Sequence, residues 1–525
     1  MKTIIPFFLL LPFFLLGQTP TLGWQKTFGG SEIDFLTHCI TTSDNGLLLT
    51  GYSYSNISGD KTENSRGSAD IWVIKLDAQK NTVWQKTIGG NDDDSVSSVI
   101  ETTDGYILGG SSNSNVSGEK TENSRGESDI WVIKLNFSGT ILWQKTIGGI
   151  GLDFTSDIDK TLDNGIIIGA YTFLSGISGE KTEPDYGDVD YWVLKLDALG
   201  NIVWQKTYGG SGEDVLYSIK HTPDGGYIMC GDSISPISGV KTEGANGWDY
   251  WVIKTDALGN ILWQNTIGGI NADSWPYLLV TSNNDYLIAG SSRSPVSGDK
   301  TVSNYGDRDF WIVKLDSAGN IIWDKCFGGN DSQEVKALIE TPDNNYILGG
   351  WSTSPISGTK TENSRGVNDY WLVKINQNGT LLWDKTIGGT DADQITSLAL
   401  KDNSLIAGGT SRSSISGDKT ENSRGNFDYW LVELENINLN NEAFQKPNVI
   451  LYPNPTANGI VNIDLAGFYN KATVKVYNAI GQAVFEKEYH NTSIITDSFI
   501  KQSGVYFFNL DLNDSIKTNF KVIFE

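Results

Sequence analysis

The stretch Gly67-Ser68-Ala69-Asp70-Ile71-Trp72-Val73-Ile74-Lys75-Leu76 decides how this chain folds. An aspartate, a β-branched or aromatic residue, a tryptophan and then alternating aliphatic positions read as a short strand. The pattern returns as Asp129-Ile130-Trp131, Asp190-Tyr191-Trp192, Asp249-Tyr250-Trp251, Asp309-Phe310-Trp311, Asp369-Tyr370-Trp371 and Asp428-Tyr429-Trp430. The steps between those tryptophans are 59, 61, 59, 60, 60 and 59 residues. A fixed period of this kind marks a solenoid, a propeller or another array.

One unit is legible from Gly89 to Trp143. Residues 94–100 read as a first strand, Thr102-Thr103-Asp104-Gly105 as a turn and residues 106–110 as a second strand. A polar loop, residues 117–128, leads to the third strand at 129–135. A tight turn at Ser138-Gly139-Thr140 leads to a fourth strand at 141–146. Four short strands per unit compose one propeller blade. The fourth-strand tryptophans are Trp24, Trp84, Trp143, Trp204, Trp263, Trp323 and Trp383, so the array begins with a fourth strand and ends with a third. An open array would leave both edges unpaired. Pairing residues 21–28 with 428–434 removes both edges. The expectation is an all-β chain: a seven-bladed β-propeller over residues 21–435, closed by its N-terminal strand.

The flanks differ. Residues 1–17 read as a signal peptide, with Lys2 before a short apolar core and Gly17 at the cleavage point. That core is too short to span a bilayer, and no later segment is apolar for long enough. No cysteine follows it, which argues against a lipoprotein anchor. Residues 436–447 are asparagine-rich and aperiodic, a linker. Residues 448–525 carry six further strand-like runs divided by turn signals, which read as a small β-sandwich.

A net charge of −24 argues against a nucleic-acid partner and against an anionic membrane surface. Cys39, Cys230 and Cys326 are odd in number and lie in three different repeats, so they form neither a disulfide framework nor a metal spacing.

In the last domain, Tyr452-Pro453-Asn454-Pro455-Thr456, Val476-Tyr477-Asn478-Ala479-Ile480-Gly481-Gln482, Gly504-Val505-Tyr506 and Lys521-Val522 resemble the type A C-terminal sorting domain of the type IX secretion system. The resemblance covers nearly all of residues 448–525. It implies export across the outer membrane of a Gram-negative bacterium, with the secretion machinery as partner and release or surface anchoring to follow. The repeats are similar, more loosely, to propeller repeats carried by such cargo.

Strand direction places the loops between fourth and first strands on the same face as those between second and third. That loop face is the expected site of function, because the other end carries only short turns. Its Ser-Gly-x-Lys-Thr-Glu loops present Lys61, Lys120, Lys360 and Lys419 within four identical copies of Lys-Thr-Glu-Asn-Ser-Arg-Gly. These read either as equivalent ligand pockets or as duplicated loops whose charges pair between blades. Asp34, Asp94 and Asp214, in the Gly-Gly-x-x-x-Asp loops, are the candidates for calcium, although no repeat has the alternating Asp-x-Asp-x-Asp-Gly spacing that wraps an ion. Other cofactors are not implied. The aspartate two residues before each third-strand tryptophan is expected to accept backbone N–H groups.

Recognition of one partner requires departure from the repeat. Trp248 and Phe427 share a loop position held elsewhere by Ala69, Ser128, Val189, Arg308 and Asn368, and Trp351 stands where other second strands carry Tyr52, Ser111 or Thr410. Aromatic residues on an acidic rim suit sugar rings or peptide chains. Trp275 aligns with Leu36, Val96, Leu216, Val335 and Ile395 and is expected in the core. No catalytic triad, metal triad or phosphate-cradling loop is present. The reading is therefore a secreted or cell-surface module that binds a polysaccharide or a surface protein. A glycan-active hydrolase or lyase and an inert structural surface protein are the alternatives.

Overall fold

The structure is a computed structural model that describes residues 20–437, 449–456, 460–479, 481–500, 502–512 and 516–524. The expected signal peptide and most of the expected linker lie outside the described residues. Two compact units are resolved, divided between residues 439 and 440.

The first unit is seven four-stranded antiparallel sheets. Blade 1 comprises Asp34–Thr41, Leu47–Ser53, Asp70–Leu76 and Thr82–Ile88, and the next five repeat its order. Blade 7 takes Asp393–Lys401, Ser404–Ser411 and Asp428–Glu435 from the end of the array and Thr21–Phe28 from its beginning. The closing strand pairs Thr27 with Trp430 and Phe28 with Tyr429. It also supplies the side chains a fourth strand supplies elsewhere. The Trp430 indole donates to Gln25 Oε1 at 3.3 Å, as Trp72 does to Gln85 at 3.0 Å. Ring closure is therefore a finding.

Each third-strand tryptophan is fully buried. Neighbouring blades are joined by tilted aromatic pairs: Tyr429 lies 5.0 Å from Trp72, Tyr191 5.0 Å from Trp251, and Phe310 4.7 Å from Trp371. Truncating such a tryptophan typically costs about 3–5 kcal/mol. The aspartate before it accepts the expected backbone N–H, from Arg66 to Asp70 Oδ2 at 2.5 Å and from Arg125 to Asp129 Oδ2 at 2.6 Å. The doubled glycine of every repeat also has a steric cause. A Cβ on Gly89 would lie 1.8 Å from Asp70 Oδ1. Ile437, which reads as linker, is buried in the core between blades 6 and 7, and its carbonyl accepts Lys374 Nζ at 2.8 Å.

The second unit is one five-stranded antiparallel sheet. Residues 461–465 and 472–477, expected as two strands, form one continuous strand, Ile460–Asn478. It pairs on one edge with Ala483–Ser498 and on the other with Gly504–Leu512. Thr456 bridges to Phe524, bringing the two ends of the sheet together around a core that includes Val461, Val474, Phe508 and Val522. This is a nearly closed, barrel-like sandwich.

Candidate functional site at the mouth of the axis

The first strand of every blade lies innermost, against the first strands of its neighbours, and each carries a β-bulge. In six blades the pairing of first with second strand skips one residue: Thr37, Ser97, Ser156, Tyr217, Lys336 or Thr396. In blade 5 it skips Trp275 and Pro276 on the first strand and Gly290 on the second, so the surplus is again one residue. A bulge re-aims the side chain it carries. Proline has no N–H to give the ladder and disfavours the right-handed helical region for the residue before it. Trp275 takes φ +58°, a left-handed conformation. Pro276 is buried and Trp275 is only half-buried. The expectation that Trp275 belongs to the core is corrected: the register on either side matches that of the other blades, but the left-handed residue exchanges the two side chains, so that Pro276 is buried and the indole is left partly exposed.

Groups that break the repeat surround it. Arg308 lies with its guanidinium 4.3 Å from the Trp275 ring centroid, and Lys336 Nζ is 5.6 Å from it. Both cations pair with Glu334; Arg308 Nη1 is 3.4 Å from Glu334 Oε2. Trp351 is the ladder partner of Glu334, so one aromatic singled out from sequence belongs to this cluster. Below it, Asp232 stands where other blades carry Tyr52, Ser111, Tyr171, Ser291, Trp351 or Thr410. Asp232 Oδ1 accepts the Trp275 backbone N–H at 2.8 Å. Burial pushes the Asp232 carboxyl well above the usual range, against the opposing effect of its hydrogen bonds with Trp275 and Tyr217. This buried carboxyl thus anchors the left-handed turn that presents the indole.

Phe427 lies elsewhere on the loop face. Its ring is 6.2 Å from Phe35, which stacks on Tyr52 at 5.5 Å, and Arg412 sits 5.5 Å from it. Trp248 is half-buried, and its carbonyl accepts the Asp273 N–H at 2.6 Å, one blade before the equivalent bond from Gln333 to Arg308.

The repeated loop residues are interior. Lys61, Lys120, Lys360 and Lys419 are each 2% exposed. Lys120, Lys360 and Lys419 lie over the tryptophans of their own blades at 5.0, 5.6 and 5.1 Å. Burial holds all four amines down at about 8, opposed by the surrounding carboxylates. These lysines therefore line no surface pocket. The arginines of the same loops do pair between blades: Arg66 with Glu119 at 2.5 Å, Arg125 with Glu180 at 2.5 Å, and Arg424 with Asp60 at 2.8 Å.

The calcium candidates are interior too. Asp34, Asp94 and Asp214 are fully buried and accept the N–H of Gly30, Gly90 and Gly210 at 2.6–2.7 Å and the hydroxyls of Ser55, Ser114 and Ser235 at 2.8–3.0 Å. Blade 6 does the same with a neutral amide. Gln333 Oε1 accepts Gly329 N–H at 3.0 Å, and its Nε2 donates to Ser354 at 2.6 Å. No charge is needed at this position. Among the described residues no group of three or more His, Cys, Asp or Glu side chains is placed to hold a metal ion.

The comparisons with known proteins bear on the two units separately. Residues 450–525 match the secretion system C-terminal sorting domain, so the type IX assignment holds for that region. Among the described residues no helix is long and apolar enough to cross a membrane, which leaves β-barrels unaddressed. The regulatory protein FlaEY of Caulobacter vibrioides is 22% identical over 261 residues, 45% of this chain and 27% of that protein. An uncharacterized WD repeat-containing protein of Acanthamoeba polyphaga mimivirus is 20% identical over 492 residues, 73% of this chain and 35% of that protein. The chain thus spans about a third or less of the length of these relatives. Among solved structures, Kuenenia stuttgartiensis hydrazine synthase aligns over 72% of this chain and 93% of its own, at 12% identity and TM-score 0.43. The Neurospora crassa Pan2 WD40 domain aligns over 77% and 98%, at 10% identity and TM-score 0.41.

Proposed function

We propose that this protein is a binding module displayed outside the cell, which engages a glycan or a partner protein at the mouth of its axis over blades 4–6. The observation that carries the reading is Trp275. It is a partly exposed indole in a left-handed backbone conformation, held there by a buried carboxyl and flanked by two cations that no other blade has. Strained backbone positions of this kind cluster at binding sites. Trp351 and the ion-paired Arg308, Glu334 and Lys336 extend the surface, giving a rigid aromatic anchor inside a polar rim. On this reading the protein holds its partner and carries out no turnover.

The route to the surface follows from the sorting domain. Residues 448–525 are the address the type IX machinery reads, after transit of the periplasm. Removing them is expected to leave the propeller in the periplasm, checked by fractionation; undiminished secretion contradicts the assignment. For binding, the purified protein is screened on glycan and protein arrays beside Trp275→Gly and Trp351→Ala. Hits lost in both variants support the mouth as the site. The absence of any hit that both variants weaken, or turnover of a bound polysaccharide, overturns it.

A further inference from the structure

The turn face, opposite the mouth, carries two adjoining hollows across blades 1 to 3. One, about 530 Å³, lies between blades 1 and 2; the other, about 450 Å³, lies between blades 2 and 3. Both fall within the ~300–1,000 Å³ range of ligand pockets. Ser43, Glu101 and Phe137 line both, so the hollows form one groove with Phe137 as the ridge between them. We propose that this groove is a binding site for a neutral oligosaccharide.

Phe137 is the residue to explain. It sits in the turn between third and fourth strands, where the other blades carry Ala78, Ala198, Ala257, Ser317 and Gln377. The structural task of that position belongs to its backbone. The Trp84 indole donates to the Phe137 carbonyl at 3.0 Å, as Trp204 does to Ala257 at 3.2 Å and Trp323 to Gln377 at 3.1 Å. The phenyl ring is not required for this bond, yet it stands 44% exposed, edge-on to Tyr106 at 5.5 Å. With Trp84, 6.4 Å from Tyr106, it makes an aromatic wall in the first hollow.

The remaining lining is polar and balanced. Asp44 pairs with Lys75 at 2.9 Å and Asp104 with Lys134 at 2.5 Å. Glu101 holds the Ser43 N–H at 2.8 Å, and Lys160 faces the second hollow. Asp44, Glu101 and Asp104 are offset by Lys75, Lys134 and Lys160, so the groove is neutral on a chain of net charge −24. That balance disfavours both polyanions and polycations. Flat apolar rings beside fixed carboxylates and amines instead suit a ligand with apolar ring faces and hydroxyl edges, which is the chemistry of sugars. Two hollows in series fit a chain of more than one ring.

The test is affinity electrophoresis of the full-length secreted protein through gels containing a neutral glucan, a neutral mannan, alginate or no polymer. The expected result is retardation by a neutral polymer and not by alginate. Phe137→Ala should weaken it about tenfold, a loss of ~1.4 kcal/mol, with the melting curve unchanged, and Glu101→Gln should weaken it too. Trp275→Gly, on the opposite face, should leave it intact, which separates this groove from the mouth. The proposal is overturned by no retardation in either neutral polymer, by retardation in alginate alone, or by Phe137→Ala running like the parent.

Discussion

Inside five of the blades and at the mouth of the axis the same interaction appears with opposite consequences. Lys120 lies 5.0 Å over Trp131, and both side chains are sealed from solvent. Arg308 lies 4.3 Å over Trp275, and that indole reaches the surface. The first arrangement is repeated around the ring with the same residue types and is bracketed by buried aspartates. The second occurs once and is built from residues that no other repeat has. Repetition marks what every blade needs to pack against its neighbour. Departure from it marks what the ring as a whole presents.

The largest effect is expected at the closure. Without residues 21–28 the Trp430 indole loses Gln25, Glu421 loses Lys26 at 2.9 Å, and the strand Asp428–Glu435 becomes a bare edge. A bare edge templates association with other chains. The deletion is expected to abolish the cooperative thermal transition and to give oligomers on size-exclusion chromatography. A monomer that melts like the parent would show that the junctions do not depend on the ring.

The comparison sharpens with a pair of tryptophan variants in urea denaturation. Trp131→Ala removes a buried ring and its 3.0 Å bond to Gln144, and is expected to cost about 3–5 kcal/mol. Trp275→Gly loses a partly exposed ring but relieves a left-handed residue, worth roughly 1–2 kcal/mol. Its net effect is expected within about 1 kcal/mol of the parent. Equal losses in the two variants would make Trp275 a packing residue and remove the basis for the mouth.

The fold was legible because each repeat writes the same physical requirement again. The tryptophan period, the Asp-Gly and Ser-Gly turns and the phase offset at Trp24 together left ring closure as the solution without bare edges. The site was less legible. The alignment of Trp275 with Leu36 and Val335 holds in the ladder, but the left-handed backbone at Trp275 swaps which of it and Pro276 is buried, and a column of residue types does not carry that. Lys61 and its copies misled in the other direction. A lysine in a polar loop reads as exposed, and only the third dimension shows it buried, with an indole beneath it in five of the seven repeats. Phe137 was passed over because short turns were discounted as a class, although its column otherwise holds Ala, Ser or Gln.

The smallest expected effect concerns pH. Burial pushes Asp190 and Asp428 up to about 7 and Asp249, Asp309 and Asp369 up to about 6, against the N–H groups donated to them. In the unfolded chain such groups titrate near 3.8. Between those values the folded state holds more protons than the unfolded one, so these aspartates favour folding more as pH falls from about 8 toward 5. On the turn face the sign reverses. At Asp44, burial, which raises the pKa, is outweighed by hydrogen bonds from Thr42 and Lys75, and the carboxyl is held down at about 2. Asp163 and Asp224 behave alike, with Lys195 and Lys254. Their contribution is present above pH 4 and is lost as pH falls toward 2. The melting temperature is therefore expected to peak between about pH 4 and 6 and to decline toward pH 8. Each kcal/mol recovered is worth roughly 2–4 °C. Asp428→Asn, which keeps an oxygen acceptor and removes the titration, should flatten the decline from pH 5 to 8 and leave the acid limb unchanged. A variant as steep as the parent over that window would place the titrating groups outside the blade junctions, and the contrast between sealed junction and open mouth would lose its electrostatic half.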